Sequence, residues 1–230
     1  MTDKYDAVLF DLDGVLTSTA SLHAACWKQV FDEVLADWSE RTGTAQEPFS
    51  KIDYLAYVDG KTREDGVRDF LDARGVRDYD VHAVAERKQA LVERALARDG
   101  VEAFPGSVRW VQHLRRTGVR TAVVSSSANS ADVLRAAGIA SLFELTVNGH
   151  DIATLGLRGK PAPDGFLEAA RRLGVAPERA VVVEDALAGV TAGRDGGFGL
   201  VIGVARSAAR ADLRSAGADI VVDDLEELVP

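Results

Sequence analysis

The stretch Val8-Leu9-Phe10-Asp11-Leu12-Asp13-Gly14-Val15-Leu16-Thr17 places two carboxylates where a buried strand ends. Val8, Leu9 and Phe10 form a short apolar run, the pattern of a strand covered on both faces of a parallel sheet. Asp11 then falls where that strand surfaces. Strand alternation aims Asp11 and Asp13 the same way, and Gly14 lets the chain turn off the sheet. Two like charges this close are unfavourable unless a cation lies between them or one is protonated, so the pair predicts a divalent metal. An isolated D-x-D-G is most often only a polar turn, and the rest of the chain decides between the two readings.

The chain has 230 residues of ordinary globular composition and a formal net charge of -9, enough for one large domain or two unequal ones. The acidic balance argues against nucleic acid or an anionic membrane surface as partner, so an anionic substrate needs a locally positive site. The single cysteine, Cys26, excludes an internal disulfide and suits a reducing compartment. It falls within an apolar helical pattern and reads as a packed thiol. No apolar run reaches the length of a membrane span and the segment Met1 to Asp6 lacks a signal-peptide pattern, so the expected location is the cytoplasm.

After the first strand, Ser18 or Thr19 caps a predicted helix running from Ala20 towards Trp38, with Leu22, Cys26, Val30 and Val34 or Leu35 as its apolar stripe. Thr19, His23 and Trp27 recur every four residues and share one face. Residues 39–50 read as a loop or helix end. Thr62 caps a helix over Arg63 to Ala73 that Gly75 closes, and another runs from Val81 to Arg98 and stops at Gly100. Past Phe104-Pro105-Gly106 strands alternate with helices: strands over 119–124, 143–147, 180–183, 200–202 and 220–222, helices over 107–116, 130–137, 163–173 and 188–194. The predicted architecture is α/β. A doubly wound, Rossmann-like parallel sheet core takes residues 1–18 and 104–230, and an all-helical cap of residues 19–103 is inserted after the first strand, over the strand ends where such sheets bind ligands. Gly197, Gly199 and Gly203 lack the dinucleotide spacing, which argues against a nicotinamide or flavin site.

Four separated stretches supply the parts of a phosphoryl-transfer site at predicted strand ends. Asp11 and Asp13 are the first. Ser125, Ser126 and Ser127, with Ala128 and Asn129 behind them, offer hydroxyls and main-chain amides suited to phosphate oxygens. Lys160, in Gly159-Lys160-Pro161-Ala162-Pro163-Asp164, offers a cation on a loop that two prolines restrict. Glu184 and Asp185 bring two more acids after Val181-Val182-Val183. Each piece alone is commonplace; their order and shared location are not.

In these four motifs the chain resembles the haloacid dehalogenase-like superfamily and, in the place of its insertion, that superfamily's helical-cap subgroup. The resemblance implies that Asp11 is the nucleophile forming an aspartyl-phosphate, Asp13 the general acid and base, and Ser125 and Lys160 the phosphate holders, with Ser126 beside them. It also implies magnesium held by Asp11, the Asp13 main-chain oxygen and Asp185, with Glu184 in support. The chemistry agrees: a carboxylate attacks phosphorus only if the phosphoryl charge is neutralised, which magnesium and Lys160 would do. Asp13 must carry a proton to the departing oxygen. Its presence argues against carbon–halogen hydrolysis, since a halide leaves unprotonated.

The helical block is similar, more narrowly, to the β-phosphoglucomutase family through Thr19, His23 and Trp27, through Gly60-Lys61-Thr62-Arg63-Glu64-Asp65 and through Arg87-Lys88, with Ser127 and Asn129 matching in the core. That likeness implies that Arg63 and Lys88 meet the phosphate not being transferred and that His23 couples cap closure to Asp13. The reaction implied is interconversion of β-glucose 1-phosphate and glucose 6-phosphate through glucose 1,6-bisphosphate, by a monomer with a small sugar phosphate as its partner. Ala186 and Ala128 depart from the family pattern, and residues 33–59 are longer and more irregular. The alternatives are a magnesium-dependent phosphatase of a sugar phosphate or similar small ester, and a silent sugar-phosphate sensor, against which the intact Asp11, Asp13, Lys160 and Asp185 speak.

Overall fold

In the computed structural model, which describes residues 4–230, six strands form one parallel sheet. Met1 to Asp3, the head of the segment read for a signal pattern, lie outside the described residues. The strands are β1 (Ala7–Phe10), β2 (Arg120–Val124), β3 (Leu145–Val147), β4 (Ala180–Glu184), β5 (Leu200–Val204) and β6 (Ile220–Val222), in the order β3-β2-β1-β4-β5-β6. Every residue of β1 and β4 is buried, which is why both read as apolar runs, in β4 as far as Glu184 at its end. On one face Val8 and Phe10 pack with Trp110 and Leu114 of the helix Pro105–Arg116; on the other, Ala7 and Leu9 pack with Phe166 and Leu173 of the helix Asp164–Leu173. Helices on both faces make the sheet doubly wound.

β1 pairs with β2 and β4, with Phe10 level with Val123 and Val183, and the strand order reverses there. At such a reversal the loops leaving neighbouring strands diverge and open a crevice at their carboxyl ends. Asp11 N–H donates to the Val183 carbonyl at 2.9 Å and Ser125 N–H to the Val147 carbonyl at 2.9 Å, so each chain holds its register one residue past its strand. Asp11, Ser125 and Asp185 therefore leave adjacent strands at one level.

Between β1 and the helix Pro105–Arg116 the chain is helical: Ala20–Thr42, Arg63–Ala73 and Val81–Asp99 are the long elements. The two connections run side by side, Ser18 N–H donating to the Glu102 carbonyl at 3.0 Å and Phe104 N–H to the Leu16 carbonyl at 2.9 Å. This block has its own core, with Phe31 at its centre, 4.2 Å from the Phe70 ring, 5.0 Å from Phe49 and stacked on Trp27 at 4.9 Å. Phe31→Ala removes all three ring contacts from a site with no exposed surface. It is expected to lower stability by ~3–5 kcal/mol, read from the urea midpoint.

Several local expectations are corrected. Thr19 stands at the N-cap of the helix Ala20–Thr42 but does not cap it, because its hydroxyl donates to Asp13 Oδ1 instead. The stripe of that helix runs through Phe31 rather than the half-buried Leu22, because the packed face also carries His23 and Trp27. Ser50 opens one helical turn at Lys51–Asp53, which widens into a π-helical turn over Tyr54–Val58. Two short helices, Gly149–Thr154 and Arg210–Ala216, were not anticipated. The first starts on a reciprocal Asn148/Asp151 cap and stands between β3 and Lys160; the second has Ala209 at its start and no side-chain cap to announce it.

Candidate active site

The crevice at the β1–β4 reversal gathers the four motifs. Lys160 is 5% exposed and its Nζ lies 2.5 Å from Asp11 Oδ1, 2.6 Å from Glu184 Oε1 and 3.2 Å from the Val124 carbonyl. Its three donors are therefore all used, and they draw the ends of β1, β2 and β4 together. The two carboxylates hold the ammonium charged well above the ordinary lysine range even though burial opposes it. Burial, set against Lys160, leaves Asp11 raised to about 6 and Glu184 to about 7. Glu184 is wholly buried, and its second oxygen accepts the Asp185 and Ala186 N–H groups at 2.9 and 3.0 Å. Its place against the helix Leu187–Asp195 depends on Gly189, where a Cβ would lie 1.7 Å from Glu184 Oε1.

Asp11 and Asp13 do not act as a pair with a cation between their side chains. β1 ends at Phe10, and Gly14 at φ +95° turns the chain, so strand alternation no longer governs Asp13. The Asp13 carboxylate accepts from the Thr19 hydroxyl and, at 3.5 Å, from Ser125 Oγ. Burial raises its pKa, which suits a group that holds and releases a proton; the Thr19 hydroxyl tempers the rise. The acids that converge are Asp11, Glu184 and Asp185, one oxygen of each lying within 4.8 Å of the others. An all-carboxylate set suits a hard divalent cation. Asp185 is 2% exposed and raised well above its ordinary value by burial first and then by the charges of Asp59, Glu184 and Asp11, as expected of a ligand that a cation would satisfy. Gly14 leaves room for it: a Cβ there would lie 2.0 Å from Asp185 Oδ2.

The helical block completes the cavity. Thr19 and His23 are buried on one helix face, and Trp27 follows a turn on. Lys88, 4% exposed, donates to His23 Nδ1 at 2.7 Å and stands 4.9 Å over the Trp27 ring. A lone pair accepting from lysine leaves the imidazole proton on Nε2, which faces Asp13 Oδ1 at 3.4 Å. Burial, then the Lys88 charge, keep that imidazole neutral. Arg63 Nη1 donates to Gln89 Oε1 at 3.0 Å, and the Gln89 amide pairs with Asn129 across the seam at 2.6 and 3.2 Å. Ser126 Oγ crosses the same seam to the Gly60 carbonyl at 2.7 Å. Ser125 Oγ and Ser127 Oγ accept from main-chain N–H groups of Ser127 and Asn129, which shapes the loop after β2. Arg87, by contrast, is exposed, paired with Glu33 and absent from the cavity lining.

A cavity of about 60 Å³ is lined by Asp11, Asp13 and Asp185 at one end and by Arg63 and Lys88 from the helical block. Small-molecule pockets are several times larger, ~300–1,000 Å³, so the cavity as it stands is too small for a ligand of that class. Ala186 is legible here: a Cβ at Gly60 would lie 2.9 Å from Ala186 Cβ, so a small residue at 186 lets the loop settle. Sequence reasoning missed Asp59, Gln89 and Tyr54 as lining residues. Gln89 was signalled only by adjoining Lys88, and Asp59 by adjoining Gly60. Asp59 is raised to about 6, by burial first, which the Tyr54 hydroxyl opposes.

Burial lowers Lys88 to about 8 despite the nearby Asp13 charge. Protonated lysine is what a phosphate requires, so KM for a phosphorylated sugar is expected to rise as pH climbs through about 8. The stability effect has the opposite sign. Between about 8 and the ordinary lysine value the unfolded chain binds the extra proton, so the penalty of burying Lys88 is complete below about pH 8 and is relieved above it. KM and the denaturation midpoint measured across that window check both directions.

A family model described as haloacid dehalogenase-like hydrolase matches residues 5–197. The β-phosphoglucomutase of Mycobacterium tuberculosis is 46% identical over 244 aligned residues, covering all of this chain and 93% of that protein. Hexitol phosphatase A of Escherichia coli is 32% identical over 224 residues, covering 96% and 91%. The solved structure of CbbY from Rhodobacter sphaeroides in complex with phosphate superposes with a TM-score of 0.74 at 25% identity, covering 97% of this chain and 96% of that one. The chain belongs to the haloacid dehalogenase-like hydrolase family and, within it, stands with the β-phosphoglucomutases.

Proposed function

We propose that the protein is a β-phosphoglucomutase, interconverting β-glucose 1-phosphate and glucose 6-phosphate, with residues 19–103 acting as a movable cap. The observation that carries this reading is the two-ended cavity: a buried nucleophile with its lysine at one end, and Arg63 and Lys88 in the same cavity from the cap. A substrate that presents each of its two ends in turn to Asp11 needs a second cationic clamp for the phosphate that is waiting, and arginine gives a bidentate one.

In this mechanism the phosphoryl group starts on Asp11. The 6-hydroxyl of β-glucose 1-phosphate attacks phosphorus, the O–P bond to Asp11 breaks, and Asp13 takes the hydroxyl proton. Glucose 1,6-bisphosphate forms, turns around under the cap and presents its 1-phosphate. Asp11 then attacks that phosphorus, Asp13 returns the proton to the departing O1, and glucose 6-phosphate leaves with Asp11 phosphorylated again. Ser125, Ser126 and Lys160 hold the transferring group, while Thr19 and His23 set the orientation of Asp13. Asp11, Asp185 and the Asp13 main-chain oxygen would hold magnesium, which would neutralise phosphoryl charge there. Cap closure excludes water, which would otherwise hydrolyse the aspartyl-phosphate. The reading carries with it a cytoplasmic enzyme working as a monomer.

The competing reading is a phosphatase, favoured by the likeness to hexitol phosphatase A. β-Glucose 1-phosphate supplied with magnesium and a trace of glucose 1,6-bisphosphate separates the two: mostly glucose 6-phosphate supports the mutase and mostly inorganic phosphate contradicts it. Arg63→Ala is expected to reduce mutase flux about 100-fold, the loss of one charge-assisted bidentate contact of roughly 3 kcal/mol, while sparing hydrolysis of a small generic ester.

A further inference from the structure

Asp59 has no part in the mechanism above, yet it is the one acid of the cap that reaches the phosphoryl-transfer end of the cavity. It is 9% exposed, and its Oδ2 is buried with no hydrogen-bond partner. Its main chain is fixed: Asp59 N–H donates to the Tyr54 carbonyl at 2.9 Å, at the end of the π-helical turn. Gly60, at φ +75°, then turns the chain onto Ala186, and its carbonyl accepts from Ser126 Oγ. The cap loop thus rests on the residue next to Asp185. Among the charges acting most on Asp59 are Glu184, Lys160 and Asp13, and Asp59 is foremost among the charges acting on Asp185.

A buried carboxylate oxygen without a donor is unfavourable by several kcal/mol unless a ligand supplies one. A phosphate has no donor to give and would be repelled. A divalent cation's water has donors and a favourable field, and magnesium keeps several of its waters when protein-bound. Asp59 stands outside the set of acids whose oxygens lie within 4.8 Å of one another but lines the same cavity as Asp11 and Asp185, so it would meet the cation through one of its waters rather than directly.

We infer that Asp59 is a cap-borne ligand to the hydrated divalent cation, so that cation binding and cap closure favour one another. The inference rests on the divalent-cation reading of Asp11, Glu184 and Asp185. Without the cation, Asp59 meets those acids as a like charge and resists closure; with it, the same carboxylate draws the cap down. By linkage, closure raises magnesium affinity by the factor that magnesium favours closure.

The test is calorimetric titration of Mg2+ into the full chain at neutral pH, without sugar, for wild type, Asp59→Asn and Asp185→Asn, with X-ray scattering before and after Mg2+. Asp59→Asn is isosteric and removes a buried charge, so its thermal midpoint without Mg2+ is expected to be no lower than that of wild type. Wild type is expected to compact on adding Mg2+; in Asp59→Asn the Mg2+ affinity is expected to fall about 10- to 100-fold and the compaction to vanish. Wild-type affinity and compaction in Asp59→Asn would overturn the inference and leave the cation site standing. A rise in KM for the sugar with unchanged Mg2+ affinity would equally overturn it, assigning Asp59 to a sugar hydroxyl. Wild-type affinity in Asp185→Asn would instead remove the cation site on which the inference depends.

Discussion

Asp11→Asn is expected to abolish turnover, by about 10⁴-fold or more, and to change how stability depends on pH in the absence of metal. The loss of activity follows from chemistry: an amide oxygen neither attacks phosphorus effectively nor carries the group once transferred, and removal of a nucleophile is among the largest single-residue effects known. The stability half follows from the environment. Burial outweighs the Lys160 charge and leaves Asp11 raised to about 6. Between its unfolded value and about 6 the folded state binds the extra proton, so native stability falls as pH rises through that window. The asparagine has no such titration. Thermal melts of the metal-free proteins from pH 4 to 7 check this: the wild-type midpoint should decline relative to the variant, and a parallel course would contradict the assignment of that decline to Asp11.

Lys160→Met is expected to harm both function and fold. Nζ bonds Asp11 and Glu184 at 2.5 and 2.6 Å with almost no solvent access, so the variant leaves two buried carboxylates facing each other without a cation. Breaking a buried pair by removing one partner typically loses ~3–5 kcal/mol. The catalytic loss is expected at about 10²- to 10³-fold, the usual effect of removing one donor to a developing phosphoryl charge. The stability deficit has a sign that identifies it. Loss of the lysine raises both carboxyl groups further, so they are protonated over a wider range; the deficit should shrink as pH falls towards 5 and grow above neutrality. Magnesium should narrow it too, since a second cation then answers Asp11 and Glu184. A deficit independent of pH and magnesium would mean that Lys160 matters for packing rather than charge.

The sheet was legible because β1 and β4 are buried on both faces and carry nothing but apolar residues until an acid appears. Short strands flanked by glycine and proline likewise fell within a few residues of their true ends. The helices Gly149–Thr154 and Arg210–Ala216 were not legible, since each is under two turns long and held by its surroundings rather than by an amphipathic stripe. In the site, motif residues announced themselves by type and order, but their partnerships did not. Sequence could not say that Thr19 gives its hydroxyl to Asp13 and not to its own helix, or that Lys88 reaches past Trp27 to His23. Those contacts depend on how the helical block sits over the sheet, a non-local fact. Asp59 and Gln89 belong to the same class: an ordinary acid and an ordinary amide until the fold brings one into the cavity that Asp185 lines and the other against Asn129.

The account stands on phosphorylation of Asp11. The direct measurement is to mix the magnesium-loaded enzyme with glucose 1,6-bisphosphate, quench in acid within the first turnovers, and weigh the peptide spanning residues 5–28 by mass spectrometry. The account predicts one added phosphoryl group, located by fragmentation at Asp11 and missing in Asp11→Asn. A phosphoryl group on any other residue, or an unmodified peptide from an enzyme that turns over in single-turnover mixing without ever carrying phosphate, would contradict it.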